Sequence, residues 1–300
     1  MTELPRGGAL LPVDKPAGIT SHDVVAIARR ALNARRAGHT GTLDPFATGL
    51  LILLIGRATR LAPYVEGEPK VYDATIRFGA EMDTDDATGT AIRTAPLPEP
   101  ARVREAIARL TGEIEQLPPA FSAKQVGCRR AHAAARAGQP LALRPVPVRV
   151  HSWEIRDTRS DELAVTITCA GGTYVRALAR DLGRLTESAA HLTMLRRIRS
   201  GPFDVAGAAT LDAVREGRAT LLPVLAAVPS LPRQVLDAAG VGVVATGRAV
   251  PATVAGERGA LIDDESALIA IADRRDDVWQ PVVVLRDPAA RPDMPHAVSP

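Results

Sequence analysis

The chain has 300 residues, 46% hydrophobic and 24% charged, with a formal net charge of +3. This length suits a large core plus a smaller second domain, and the balance is that of an ordinary soluble globular protein. The composition excludes a bilayer-spanning helix, because no apolar run approaches the roughly 20 residues that one requires.

The longest apolar run, Leu50 to Ile55, is strand-sized. No charged segment followed by a long apolar core opens the chain, so no secretion signal is expected and the cytoplasm is the default location. Cys128 and Cys169 are far apart, and the six histidines lack metal-ligand spacing. Neither a disulfide framework nor a metal is expected.

In chain order, Thr20-Ser21-His22-Asp23 reads as a capping box. Val24, Ile27, Ala28 and Ala31 then repeat at helical spacing, which predicts a helix from about Ser21 to Leu32 with Arg29 and Arg30 off its apolar stripe. Gly38 to Gly49 follows, a glycine-rich stretch that sets Asp44 directly before Pro45 and the apolar run. Such a layout suits an active-site loop that holds its carboxylate still, although Asp before Pro is also an ordinary turn pair.

Tyr72, Ala74, Ile76 and Phe78 alternate with polar residues and predict a half-buried strand. A short helix through Val103, Ile107 and Leu110 is expected to close at Gly112, before a basic stretch from Phe121 to Gly138. A second alternation, Leu163 to Cys169, ends at Gly171-Gly172 and gives way to helical spacing at Val175, Leu178, Leu182 and Leu185. Tyr174 and Arg176 therefore fall at a strand-to-helix junction. Val228 to Pro232 reads as a linker, and strand-like runs at Leu268 to Ala272 and Val282 to Leu285 predict a small, mainly β domain beyond it. The tail, residues 293–300, is expected to be disordered.

Positive charge is uneven. Arg29, Arg30, Arg35 and Arg36 form one cluster, Lys124, Arg129, Arg130 and Arg136 a second, and Arg196, Arg197 and Arg199 a third. Each cluster alone is as well read as a solvated face; together they favour a polyanionic partner.

Five segments carry a family resemblance: Val13 to Val25 with its Lys15-Pro16, Gly38 to Gly49, Lys70-Val71-Tyr72, Gly171 to Leu178, and Leu195 to Gly201. In this order they resemble the motifs of the TruB family, bacterial enzymes that form pseudouridine in the T arm of transfer RNA. The likeness spans most of residues 10 to 203. It implies a mixed α/β (α+β) fold: a pseudouridine-synthase catalytic domain over 1–228, with a mixed, largely antiparallel sheet flanked by helices and an RNA-gripping thumb at about 120–145. A PUA-like RNA-binding domain would occupy 229–292.

The resemblance further implies that uridine 55 is flipped out of the RNA and isomerised without cofactor or metal. Asp44 is by that likeness the catalytic carboxylate, Arg176 its ionic partner and Tyr72 the ring that stacks on the base. His39 would fill the space left by the flipped nucleotide, Tyr174 and Leu195 would contact substrate, and Lys15 would support the loop. Within the thumb, Ser122-Ala123-Lys124-Gln125 and His132 depart from the family pattern. The expected partner is transfer RNA, met by a monomer without protein or guide RNA. The competing readings are a transfer-RNA folding chaperone with secondary catalysis and a guide-dependent modifier of ribosomal RNA.

Overall fold

The computed structural model describes residue 5 and residues 7–121, 125–126, 129–130 and 141–285. The first part of the chain forms β1 (Ala9–Lys15), β2 (Ala37–Thr40), β3 (Thr48–Ile55), β4 (Lys70–Phe78), β5 (Ala80–Met82), β6 (Ala91–Thr94) and β7 (Gly112–Gln116). It continues with β8 (Gln125–Val126), β9 (Arg129–Arg130), β10 (Val146–Thr158), β11 (Glu162–Cys169), β12 (Ala190–Ser200), β13 (Phe203–Asp204) and β14 (Ala209–Thr210). Helices α1 (Ser21–Ala31), α2 (Pro100–Arg109), α3 (Val175–Leu185) and α4 (Leu211–Arg215) lie between them. Strands β15 (Arg233–Val235), β16 (Val250–Pro251), β17 (Arg258–Ile262), β18 (Leu268–Arg275) and β19 (Val278–Val284) follow, with helix α5 (Ala238–Ala245).

Ten strands make one sheet, ordered β14-β1-β3-β12-β4-β11-β10-β7, with β2 paired to β3 and β13 to β12. It is mostly antiparallel; β1 with β14 and β3 with β12 run parallel. The last five strands form a separate sheet, ordered β15-β17-β18-β19-β16. This is the mixed α+β architecture expected from the sequence.

The Leu50 to Ile55 run is explained by burial on both faces of β3. Leu51, Leu53 and Ile55 join the core beneath α1, α3 and α4, while Leu50, Ile52 and Leu54 pack with Ala260, Ile262, Leu268 and Ile271 of the second sheet. A strand covered on both sides needs no polar alternation. By contrast, β4 buries Tyr72, Ala74, Ile76 and Phe78 and turns Arg77 to solvent, as its alternation requires.

The helix at Ser21 starts on the anticipated box, with the Thr20 side chain accepting from the Asp23 amide and Asp23 accepting from the Thr20 amide. Three expectations need adjusting. Gly112, at φ +93°, opens β7 rather than closing α2, whose cap is Leu110. The last strand begins at Val278, because a register shift opposite Pro281 lets the strand continue through a residue that cannot donate. Gly38, His39 and Thr40 lie in β2, paired to Leu54, Leu53 and Ile52, so the loop proper starts at Gly41. Most of the thumb, including Lys124, His132 and Arg136, and the tail at 293–300 lie outside the described residues.

Candidate active site

The sheet divides around β3. One edge of β3 is occupied along its length by β1; on the other, β12 pairs with Thr48 and Gly49 while β2 pairs from Ile52 to Ile55. The 41–47 loop therefore sits where β2 and β12 diverge, and it carries Asp44 into the gap. Gly49 is required there: at φ +100°, an added Cβ would come within 2.2 Å of the Arg197 carbonyl.

Buried donors hold the loop from beneath. Lys15 Nζ donates to the carbonyls of Pro16, Ile19 and Pro45 at 2.9, 2.9 and 3.3 Å. Ser21 Oγ donates to the Leu43 carbonyl and accepts from the Leu43 amide, and the Gly18 amide donates to the Pro45 carbonyl. Arg197 is fully enclosed and donates to the Leu50 and Gly41 carbonyls at 2.7 and 2.8 Å. Burial pushes Lys15 down from 10.5 to about 8, against the pull of the Asp44 charge.

Arg176 reaches Asp44 from the first turn of α3. Its Nε donates to Asp44 Oδ2 at 2.8 Å and its Nη2 to Oδ1 at 3.1 Å, a two-pronged contact. Its Nη1 donates to the Thr84 carbonyl at 2.7 Å and its Nη2 also to that of Phe121 at 2.9 Å. The Arg176 side chain is 4% exposed and that of Asp44 35%. The cation is thus enclosed while the carboxylate faces out, and each of its oxygens retains a further lone pair.

Tyr72 lies opposite Arg197 on β12, 7% exposed, and burial raises its pKa. Tyr174 caps α3 through its backbone: its amide donates to Gln116 Oε1 at 2.8 Å and its carbonyl accepts from Gln116 Nε2 at 3.1 Å. Leu195 is in the core beside these strands. His39 packs edge-on to His22, with ring centroids 5.4 Å apart, and burial, His22 and Arg197 lower its pKa. Lys15 and Arg176 thus bond directly to the Asp44 loop, whereas Leu195 and, for the most part, Tyr72 are core residues rather than open surface.

The sequence reading missed a second set. Arg180, one turn beyond Arg176, donates to Asp85 Oδ2 at 3.0 Å and to the Leu117 carbonyl at 2.8 Å; Arg184, one turn further, pairs with Glu81. Asp86 accepts from the Thr88 amide and lies 3.7 Å from Arg176 Nε. The signal was present as Arg176, Arg180 and Arg184 at a spacing of four, opposite the acidic run Glu81 to Asp86. Conversely, the third basic cluster is corrected: Arg197 is interior and Arg196 is engaged two-pronged by Asp14, at 2.9 and 2.7 Å, leaving Arg199 exposed. Among the described residues, no group of His, Cys, Asp and Glu is placed to hold a metal ion.

Comparison with known proteins identifies the family of the chain. Residues 29–175 match the model of the TruB family pseudouridylate synthase N-terminal domain, and residues 176–226 that of the tRNA pseudouridylate synthase B C-terminal domain. A tRNA pseudouridine synthase B of Aromatoleum aromaticum is 48% identical over 82% of this chain and 81% of its own. One of Nocardia farcinica is 42% identical over 93% of this chain and 94% of its own. Among solved structures, a Cbf5-Nop10-Gar1 complex contains a chain with a TM-score of 0.70 and 23% identity, covering 95% of this chain and 90% of that one; at that identity the likeness speaks for the fold. These matches define a pseudouridylate synthase. Within that class the chain belongs to the TruB family.

Proposed function

We propose that this protein converts uridine 55 in the T-arm loop of transfer RNA to pseudouridine, with Asp44 as the carboxylate that acts on the flipped nucleotide. The observation that carries the reading is the two-pronged Arg176–Asp44 contact, in which a buried cation faces a carboxylate open on its other side. The reaction breaks the C1′–N1 bond, turns the uracil and joins C1′ to C5, releasing the C5 proton without oxidation or hydrolysis. An ionised carboxylate suits it, whether by attacking covalently, stabilising the electron-poor sugar or taking a proton. Arg176 supplies a balancing positive charge and fixes the direction of the carboxylate.

Extruding a stacked base costs a few kcal/mol, which contacts in the pocket must offset. In this reading Tyr72 stacks its ring on the base, Tyr174 and Leu195 contact the substrate, His39 occupies the vacated stack, and Lys15 supports the loop. The five-stranded second sheet would serve as the PUA-like RNA-binding domain. The enzyme would act in the cytoplasm as a monomer, on bare transfer RNA, without guide, protein partner, metal or cofactor.

The test is tritium release from unmodified transfer RNA labelled at uridine C5, with the product position mapped. Wild type is expected to release tritium from position 55, while Asp44→Asn binds the RNA and releases none. Tight binding without release by wild type would sink the reading in favour of a folding chaperone.

A further inference from the structure

We propose that Lys70, with the enclosed Arg197 guanidinium behind it, seats a phosphodiester of the RNA strand beside the extruded nucleotide. This rests on the reading of the chain as a transfer-RNA pseudouridine synthase. Lys70 opens β4 and shares a strand face with Tyr72 two residues on, roughly 7 Å away along the strand. Its neighbours across the ladder are Cys169 and Ser200.

Two glycines of the site bracket its ammonium. A Cβ on Gly41 would lie 3.5 Å from Lys70 Nζ and 3.2 Å from Arg197 Nη1, and one on Gly171 would lie 3.4 Å from Nζ. The ammonium and guanidinium thus converge at the loop that carries Asp44, where Gly41 leaves room; on the Gly171 side the Glu68 carboxylate fills the space, 2.4 Å from where a Cβ would stand. Neither cation has a bonded carboxylate. Lys70 makes no hydrogen bond or ion pair among the described residues, and Arg197 donates to the Leu50 and Gly41 carbonyls.

The surrounding charges have been placed as well. Glu68 accepts from the Gly171 amide at 2.8 Å and favours the Lys70 charge without pairing to it. The Cys169 thiol is pushed up to about 11 by burial and stays neutral at physiological pH. Burial and the Arg197 charge both lower Lys70. Like charges held close in a partly dry place are costly until an anion comes up to the accessible one, Lys70. A nucleotide whose base rests against Tyr72 brings such an anion in its own backbone.

Two measurements test this. The salt dependence of transfer-RNA binding is compared for wild type, Lys70→Met and Lys70→Arg. Loss of one phosphate contact predicts that the slope of log affinity against log salt falls by about 0.7–0.9 for Lys70→Met, with KM rising more than kcat falls, and that Lys70→Arg recovers the slope. Second, single uncharged methylphosphonate linkages are scanned along a T-arm stem-loop around the target uridine. One flanking linkage should weaken wild-type binding and have no further effect on Lys70→Met. An unchanged slope, or equal sensitivity of both proteins at every linkage, would make Lys70 a packing residue and overturn the proposal. If Lys70→Met does not fold, the scan on wild type decides: no sensitive linkage beside the uridine overturns it. Absence of tritium release by wild type would instead overturn the enzymatic reading, and the binding slopes would still report on the seat.

Discussion

At the scale of single residues, Arg176 differs from an ordinary helix arginine in how many acceptors it serves. Its planar fork spans both Asp44 oxygens through Nε and Nη2, while Nη1 donates to the Thr84 carbonyl and Nη2 also to that of Phe121. A lysine offers one point charge and no fork. Arg176→Lys is therefore expected to lose at least two charge-assisted bonds at roughly 1.5 kcal/mol each, or about 100-fold in kcat, with little change in transfer-RNA affinity. Single-turnover rates and filter binding read the two effects apart; equal losses in both would show that Arg176 grips RNA instead of setting Asp44. Lys15 gives a pH signature. Its three carbonyl partners need all three ammonium protons, and with its pKa at about 8 one donor is lost as pH rises through that value. Activity should fall on that alkaline limb, and Lys15→Met, slower throughout, should lack the limb. Stability moves the other way: between about 8 and 10.5 the unfolded chain binds the proton more tightly, so the cost of burying the ammonium fades and wild type gains on Lys15→Met. Activity that stays level up to pH 9.5 would contradict the account.

At the scale of elements, α3 works as a ladder whose rungs are ion pairs. Arg176 and Arg180 each hold one point on the 84–85 corner and one on the 117–121 segment, so the helix fixes both against the Asp44 loop. The carboxyl of Asp85 is pushed up to about 6 by burial, against Arg180 and Arg176, while Glu81 and Asp181 push it further up. Arg180→Met should thus cost about 3 kcal/mol at pH 8, where Asp85 is left charged without its cation. Without Arg180 the Asp85 carboxyl is pushed further up, so the deficit should shrink as pH falls toward 6 and Asp85 becomes neutral in the variant; urea titrations across pH would show a constant gap if the ladder were irrelevant. This ladder was hidden in the sequence for a physical reason. Periodicity reports apolar faces, and it located α1, β4, β11 and α3 because those elements bury hydrophobic stripes or alternate faces. Arg180 and Arg197 are buried as well, but they bury charge against partners 95 and 147 residues away, which spacing cannot reveal. The same blindness made the interior Arg197 read as part of a surface cluster. Asp44 was legible because glycines and a proline constrain its loop locally; the Gln116 clamp on Tyr174, which spans 58 residues, was not.

At the scale of the whole molecule, the second sheet buries one face on its own helix and the other against the main sheet. One cluster, of Leu236, Val241, Val244, Leu261, Ile269 and Trp279, lies between its strands and α5, but its other face shares a cluster with Leu10, Leu50, Ile52 and Leu54 of the main sheet. Each buried leucine or isoleucine in that shared layer contributes about 1.5–3 kcal/mol on burial, so separating the sheets would expose more apolar surface than a marginally stable protein tolerates. The two units are therefore expected to unfold together. The chain supplies its own reporters, since its two tryptophans are divided between the sheets: Trp153 on β10 and Trp279 on β19. Trp279→Phe leaves fluorescence from the main sheet alone, and Trp153→Phe leaves it from the second sheet. In each variant the denaturant midpoint by fluorescence should coincide with that variant's midpoint by far-ultraviolet circular dichroism. Truncating the shared layer by Ile52→Ala, at about 2–5 kcal/mol, should lower both reporters' midpoints equally. A Trp279 signal that melts before the dichroism, and does not move with Ile52→Ala, would mean that the second sheet folds independently of the catalytic one.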